Sequence, residues 1–166
     1  MIYVRAIELL CRRGNAGPYF YFESKFKIVV TKILYIKIIQ MDLEDLEYIL
    51  DHYKSPRNYG ELTNPDISQE LGNPICGDKI RLDLKLEGHL IKDIKFSGPG
   101  CTISQAAASI LTEEVINKDL EYIDSLKSEE MFEIIKAEVS PIRYDCALLA
   151  LKVLKTAIKS FRKNTA

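Results

Sequence analysis

Residues 72–88 read GNPICGDKIRLDLKLEG. From Lys79 onward the run alternates, with Ile80, Leu82, Leu84 and Leu86 on one side and Lys79, Arg81, Asp83 and Lys85 on the other. A period of two with one apolar side predicts a half-buried β-strand. Glu87-Gly88-His89 is a short connection into LIKDIKFS, residues 90–97, where Ile94 and Phe96 share a face. The two runs therefore read as an antiparallel hairpin. Upstream, ISQEL at 67–71 is a candidate third strand. Just before the hairpin, Cys76 and Asp78 flank Gly77, so one turn carries both a thiol and a carboxylate.

Helical patterns surround this sheet. In DLEDLEYILDHYK, residues 42–54, Leu43, Leu46, Ile49, Leu50 and Tyr53 recur at helical spacing, with Asp42 as the expected cap and Pro56 as the stop. SPRNYGELTNPD, residues 55–66, has the composition of a loop. After GPGC, the run TISQAAASILTEEVINK predicts a helix that starts at or just after Cys101, with the small residues 106–109 suited to close helix–sheet packing. Shorter helical pieces are expected near 120–126 and 129–137. CALLALKVLKTAIKSFRK, residues 146–163, reads as a long amphipathic C-terminal helix with Leu151, Leu154, Ile158 and Phe161 on one side. Cys146 would open it, with Asp145 as cap. Strands first and helices afterwards predict an α+β fold, with a small antiparallel sheet of about three strands packed by several helices.

The 166 residues suit one domain with a substantial apolar core. A net charge of −1 gives no reason to expect a nucleic-acid partner. Charge is unevenly spread: residues 1–40 hold 7 Lys/Arg against 2 Asp/Glu, and residues 41–166 hold 16 against 22. KIVVTKILYIKIIQ, the apolar part of the first block, is interrupted by Lys27, Lys32 and Lys37, which argues against a membrane span. It is not followed by a small-residue cleavage site either. Residues 1–40 are read as an N-terminal extension, disordered or not native, and Met41 as the natural start of a domain over 41–166.

The cysteines are Cys11, Cys76, Cys101 and Cys146. Without an export signal, and with Cys11 in the appended block, a reduced trio in the cytoplasm is a better reading than disulfides. Cys76, Cys101 and Cys146 all fall at predicted element boundaries, outside the periodic core positions. At a helix start the free N–H groups and the dipole favour the thiolate, so Cys101 and Cys146 are expected to ionise readily. Three thiolates and the Asp78 carboxylate would make four ligands, enough for a tetrahedral zinc site or an iron–sulfur cluster. Their spacing matches no compact zinc-finger pattern, so these residues alone leave both a shared site and three unrelated thiols open. His52 and His89 are read as a packing or surface residue and a solvated turn residue. Gly77, Gly98 and Gly100 are expected to supply special backbone conformations.

DHYKSPRNYG (51–60), GNPICGD (72–78), FSGPGCTISQAAASILTE (96–113) and IRYDCALLAL (142–151), in that order, resemble the IscU/SufU family, also seen as the N-terminal domain of NifU. The likeness covers essentially all of residues 46–163. It implies the IscU/SufE-like α+β fold and an exposed site where Cys76, Asp78, Cys101 and Cys146 converge. It further implies iron–sulfur cluster assembly: sulfur is accepted from a pyridoxal-phosphate-dependent cysteine desulfurase, and a labile [2Fe–2S] cluster, or iron held transiently, is assembled and passed to apo target or carrier proteins. The alternative within the family is a zinc-dependent, SufU-like sulfurtransferase that accepts persulfide sulfur without holding a cluster, with Zn2+ on the same ligands. Cys146 and Cys76 are the implied sulfur acceptors, Cys146 for the scaffold branch and Cys76 for the zinc branch.

The GNPxCGD and GCTIS wording and Arg143 resemble SufU, whereas the 45 residues from Cys101 to Cys146 are short, as in IscU. Asp145 stands where the IscU scaffold has a histidine. A carboxylate there could be a further ligand to iron or zinc, or a helix cap. EVSPIR, residues 138–143, matches the scaffold branch's LPPVK-like chaperone motif only approximately, which weakens the case for an Hsp70-type chaperone partner. Arg143 and Lys79 are candidate cations for steadying thiolates.

Overall fold

The predicted hairpin forms. In the computed structural model, which describes residues 43–136 and 139–165, β2 (Lys79–Glu87) pairs antiparallel with β3 (Leu90–Ser97). Gly88 has φ +63° and is followed by His89 at negative φ, the glycine-first pattern of a two-residue hairpin turn. ISQEL does add the third strand: β1 (Ile67–Gly72) pairs antiparallel with β2, giving the order β1-β2-β3. The expectations for residues 1–40 and for Asp42 as a cap fall outside the described residues.

Ile80, Leu82 and Leu84 are fully buried on the core face, and Ile91, Ile94 and Phe96 lie beside them from β3. The other face of the sheet is not simply solvated. Asp83, expected to point to water, is buried, because the preceding loop folds over it. Its carboxylate accepts from the Ser68 hydroxyl (2.7 Å), Arg81 Nε (3.0 Å) and the Leu62 N–H (3.2 Å). A buried carboxylate supplied with donors in this way anchors the loop and avoids the large cost of an unpaired charge.

Helix α1, described over residues 43–54, turns a different face inward from the one its pattern suggests. Leu43, Leu46 and Tyr53 are exposed, and the buried side is Ile49 and His52 with Tyr48 partly covered. A long-range bond explains this rotation. His52 Nδ1 meets Ser109 Oγ at 2.9 Å, and the same oxygen accepts the Arg57 N–H at 2.8 Å. The loop after α1 then runs along β3: the Phe96 N–H donates to the Asn58 carbonyl (2.9 Å), and the Gly60 N–H to the Phe96 carbonyl (2.8 Å). At the other end of β3, residues 117–120 bond to Ile91 and His89. Both halves of that strand's outer edge are thus covered, which protects it from pairing with another chain.

Helix α2 (Thr102–Val115) lies beneath the sheet. Ala106, Ala107, Ala108 and Ser109 are wholly buried, as the small-residue run predicts. Helices α3 (Leu120–Ser125) and α4 (Ser128–Ile135) follow, close to the expected ranges. The C-terminal helical region departs from expectation. A 3-10 turn (Pro141–Arg143) leads into the short α5 (Tyr144–Ala147), and α6 (Leu149–Thr165) starts only afterwards. Cys146 therefore sits inside α5 and does not open the long helix. On α6, Leu151, Leu154 and Ile158 are buried as predicted, and Ala150, Val153 and Ala157 widen the stripe that packs on the sheet and α2. None of the described helices is long and apolar enough to cross a membrane.

Candidate metal centre

Three connections bring distant chain segments to one end of the sheet. The first is the turn between β1 and β2, where the Asn73 N–H donates to the Asp78 carbonyl and the Gly77 N–H to the Asn73 carbonyl, each at 2.8 Å. Gly77 has φ +77°, a conformation that other L residues rarely adopt, and it lies between Cys76 and Asp78. The second is the Gly98–Cys101 segment laid across the start of β2, with the Lys79 N–H donating to the Pro99 carbonyl at 2.8 Å. Gly98 has φ +118°, and a Cβ there would stand 2.4 Å from the Lys79 carbonyl oxygen. Gly100 serves space and not conformation, since a Cβ there would meet Ser104 Oγ at 2.4 Å. The third is α5, which carries Cys146.

One sulfur atom each from Cys76 and Cys146 and a carboxylate oxygen of Asp78 lie within 4.8 Å of one another. The two sulfurs are 3.5 Å apart. Cys101, the N-cap residue of α2, closes the site from the side: its N–H donates to Asp78 Oδ1 at 3.2 Å, and its thiol faces both Asp78 and Cys146, although its sulfur is outside the closest group.

Electrostatics favour a cation here. Asp78 is almost fully buried, and Oδ2 has no hydrogen-bond partner. Burial alone would push this carboxyl up, but the neighbouring Ser104, Cys101 and Cys76 side chains and the Cys101 N–H, which donates to Oδ1 and not to Oδ2, outweigh it and hold Asp78 below the usual carboxylate range. Cys146 behaves oppositely. Burial, the contact with Cys76 and the neighbouring Cys101 push its thiol up to about 12. Burial among other thiols thus works against the thiolate expected at Cys146. A buried carboxylate oxygen without a hydrogen-bond partner, grouped with the Cys76 and Cys146 sulfurs, is a candidate donor set for a cation.

The other predicted residues take distinct positions. Asp145 is exposed and pairs with Lys152 of α6 (2.7 Å), outside the group of three. It does not cap a helix: the N-cap residue of α5 is Arg143, and Asp145 lies in the first turn. Arg143 and Lys79 are exposed. His52 is a buried packing residue with Ser109 as partner, and His89 is exposed in the hairpin turn. Two participants were not picked out from the sequence, Ser104 and Asn73. Ser104 lies one helical turn after Cys101, and Asn73-Pro74 is a turn-initiating dipeptide, a signal that flags the turn but not its contact with sulfur.

Beside the centre, Leu71, Asn73, Pro74 and Ile75 face Asp145, Leu149 and Lys152 across a groove of about 300 Å3. Ile75, adjacent to Cys76, is 83% exposed, so apolar surface lies next to the ligand turn.

Similarity to known proteins extends over most of the described chain. The family model described as NifU-like N terminal domain matches residues 44–166. The zinc-dependent sulfurtransferase SufU of Bacillus subtilis is 37% identical over 129 residues, covering 68% of this chain and 87% of the relative. The iron–sulfur cluster assembly scaffold protein IscU of Haemophilus influenzae is 34% identical over 120 residues, covering 70% of this chain and 94% of its own length. Among solved structures, a protein of Fervidobacterium islandicum assigned as an iron–sulfur cluster assembly scaffold for the SUF system is 29% identical, with a TM-score of 0.59, covering 68% of this chain and 94% of that one.

Proposed function

The chain belongs to the NifU-like N-terminal domain family, and on that premise we propose that it is an iron–sulfur cluster assembly protein. It accepts sulfur from a pyridoxal-phosphate-dependent cysteine desulfurase and builds a labile [2Fe–2S] cluster for transfer to apo proteins. One observation carries the reading: Cys76, Asp78 and Cys146 offer ligand atoms within 4.8 Å of one another, and the buried Asp78 Oδ2 lacks a partner. Cys76, Asp78, Cys101 and Cys146 are the proposed ligands, with Cys101 rotating inward from the N-terminus of α2 to supply the fourth.

The proposed sulfur step uses groups present in the chain. The Cys76 thiolate, exposed beside the groove, attacks the terminal sulfur of a desulfurase persulfide. A sulfur–sulfur bond forms on Cys76 as the one in the desulfurase breaks, the desulfurase cysteine leaves as a thiolate, and no external oxidant is needed. Exposure favours Cys76 as the entry point in both readings, a departure from the resemblance, which implies Cys146 for the scaffold branch; the buried Cys146, 3.5 Å away, becomes the inner ligand. Cluster iron is cargo, and a carboxylate ligand among thiolates gives one position that exchanges more readily. This chemistry requires reduced thiols, which suits the cytoplasm.

A second reading, a zinc-dependent sulfurtransferase, is favoured by the 37% identity to the Bacillus subtilis protein of that description. Zinc bound here would lower the pKa of its thiol ligands and keep them available as nucleophiles.

Anaerobic incubation with ferrous iron, cysteine and a desulfurase separates the two. A scaffold gains visible cluster absorption that passes to an apo ferredoxin. A sulfurtransferase remains colourless, and its bound zinc accelerates desulfurase turnover. Neither absorption nor acceleration overturns both readings.

A further inference from the structure

We propose that Asn73 is a positioning residue that holds the Cys146 sulfur at the metal centre through a side-chain N–H···S hydrogen bond. The inference rests on the metal-centre reading above. Asn73 is 8% exposed, and each of its polar groups is engaged. Its main chain closes the ligand turn through the bonds to Asp78 and Gly77. Its side-chain Oδ1 accepts the Ile75 N–H at 3.0 Å, an Asx-type turn. With Oδ1 held by a donor, the amide nitrogen is the atom facing Cys146 Sγ, at 4.0 Å.

One residue thus couples two segments 73 positions apart. Its main chain shapes the turn that presents Cys76 and Asp78, and its amide reaches the sulfur delivered by α5. Among the described residues, Asn73 is the only nitrogen donor to that sulfur. A hydrogen bond at this sulfur fixes its orientation toward the centre and stabilises its lone pairs, so losing the bond would loosen a bound metal and move a sulfur-to-metal charge-transfer band to lower energy. Groups that orient and tune ligands in this way commonly change metal affinity by about 10–100-fold when removed.

Co2+ is the probe, added anaerobically to the full-length metal-free chain, because its thiolate charge-transfer band reports directly on the sulfurs. The variants are Asn73→Ser and Asn73→Ala. Serine can still accept the Ile75 N–H and preserve the turn, but it is too short to reach Cys146. Both variants are expected to bind Co2+ about 10–100-fold more weakly in competition with a chelator, and both should shift the band to lower energy. If alanine prevents folding, serine alone decides. Variants that match wild type, or that lose affinity with the band unmoved, overturn the role of Asn73 and leave the centre intact. A wild-type chain without any thiolate–cobalt band overturns the metal centre, and the role of Asn73 falls with it.

Discussion

Cys146 Sγ lies 3.5 Å from Cys76 Sγ, yet Cys76 is exposed and Cys146 is buried. Two thiols in contact therefore differ sharply in access to reagents. Limited alkylation of the metal-free chain, followed by peptide mass spectrometry, should label Cys76 at least about tenfold faster than Cys146, because access and thiolate fraction both govern the rate. Equal labelling would show that the end of the sheet opens readily and that the inner and outer roles of these residues are wrong.

Gly98 is where the Cys101 segment crosses β2. Alanine there must adopt φ +118° and bring its Cβ within 2.4 Å of a backbone oxygen. The conformation alone costs roughly 1–3 kcal/mol, and the overlap adds to it. Gly98→Ala should lower the melting temperature markedly and weaken metal binding, because Cys101 would be displaced. Gly100→Ala, whose Cβ meets the Ser104 side chain and not backbone, should cost less. Equal melting temperatures for the two variants would contradict this account of the crossing.

How far the sequence revealed all this depends on the range of the interactions. The sheet was legible because side-chain alternation is local, and the hairpin needed only Gly88. The inward face of α1 was not, because Ser109, 57 residues from His52, rotates the helix away from its apolar stripe. The break before α6 was hidden for a related reason: 146–163 is uniformly helix-forming, and the turn at Leu148 shows only in the folded chain. Cys76, Asp78 and Cys146 could be named from motif resemblance, but their spacing could not show that they meet. Asn73 and Ser104 escaped notice because their roles lie in contacts with a sulfur and a carboxylate.

His52 gives a pH dependence with a definite sign. Burial first, then the charge of Arg57, pushes its imidazole below the ordinary value of 6.5, against the opposing pull of Glu113 and Asp51. As pH falls through 6.5, the unfolded chain takes up this proton and the folded chain does not. The contribution to stability is therefore full above pH 6.5 and is lost as pH falls toward the depressed folded value. Thermal melting of the metal-free chain should decline over this window, and His52→Gln should flatten the decline. An unchanged slope in the variant would place the titration elsewhere.

Asp145 and Lys152 form an ion pair that is about half exposed on each side. Such pairs contribute roughly 0–1 kcal/mol, and this one keeps the carboxylate away from the sulfurs. Asp145→Asn should leave both the melting temperature and Co2+ affinity nearly unchanged. A large fall in affinity would make Asp145 a ligand after all.

The most direct test of the centre is X-ray absorption on the full-length chain loaded anaerobically with one equivalent of zinc. The proposed ligand set predicts three sulfur neighbours at about 2.3 Å and one oxygen at about 2.0–2.2 Å. A shell of nitrogen and oxygen alone, or zinc that fails to stay bound, would contradict the convergence of Cys76, Asp78, Cys101 and Cys146 on one ion.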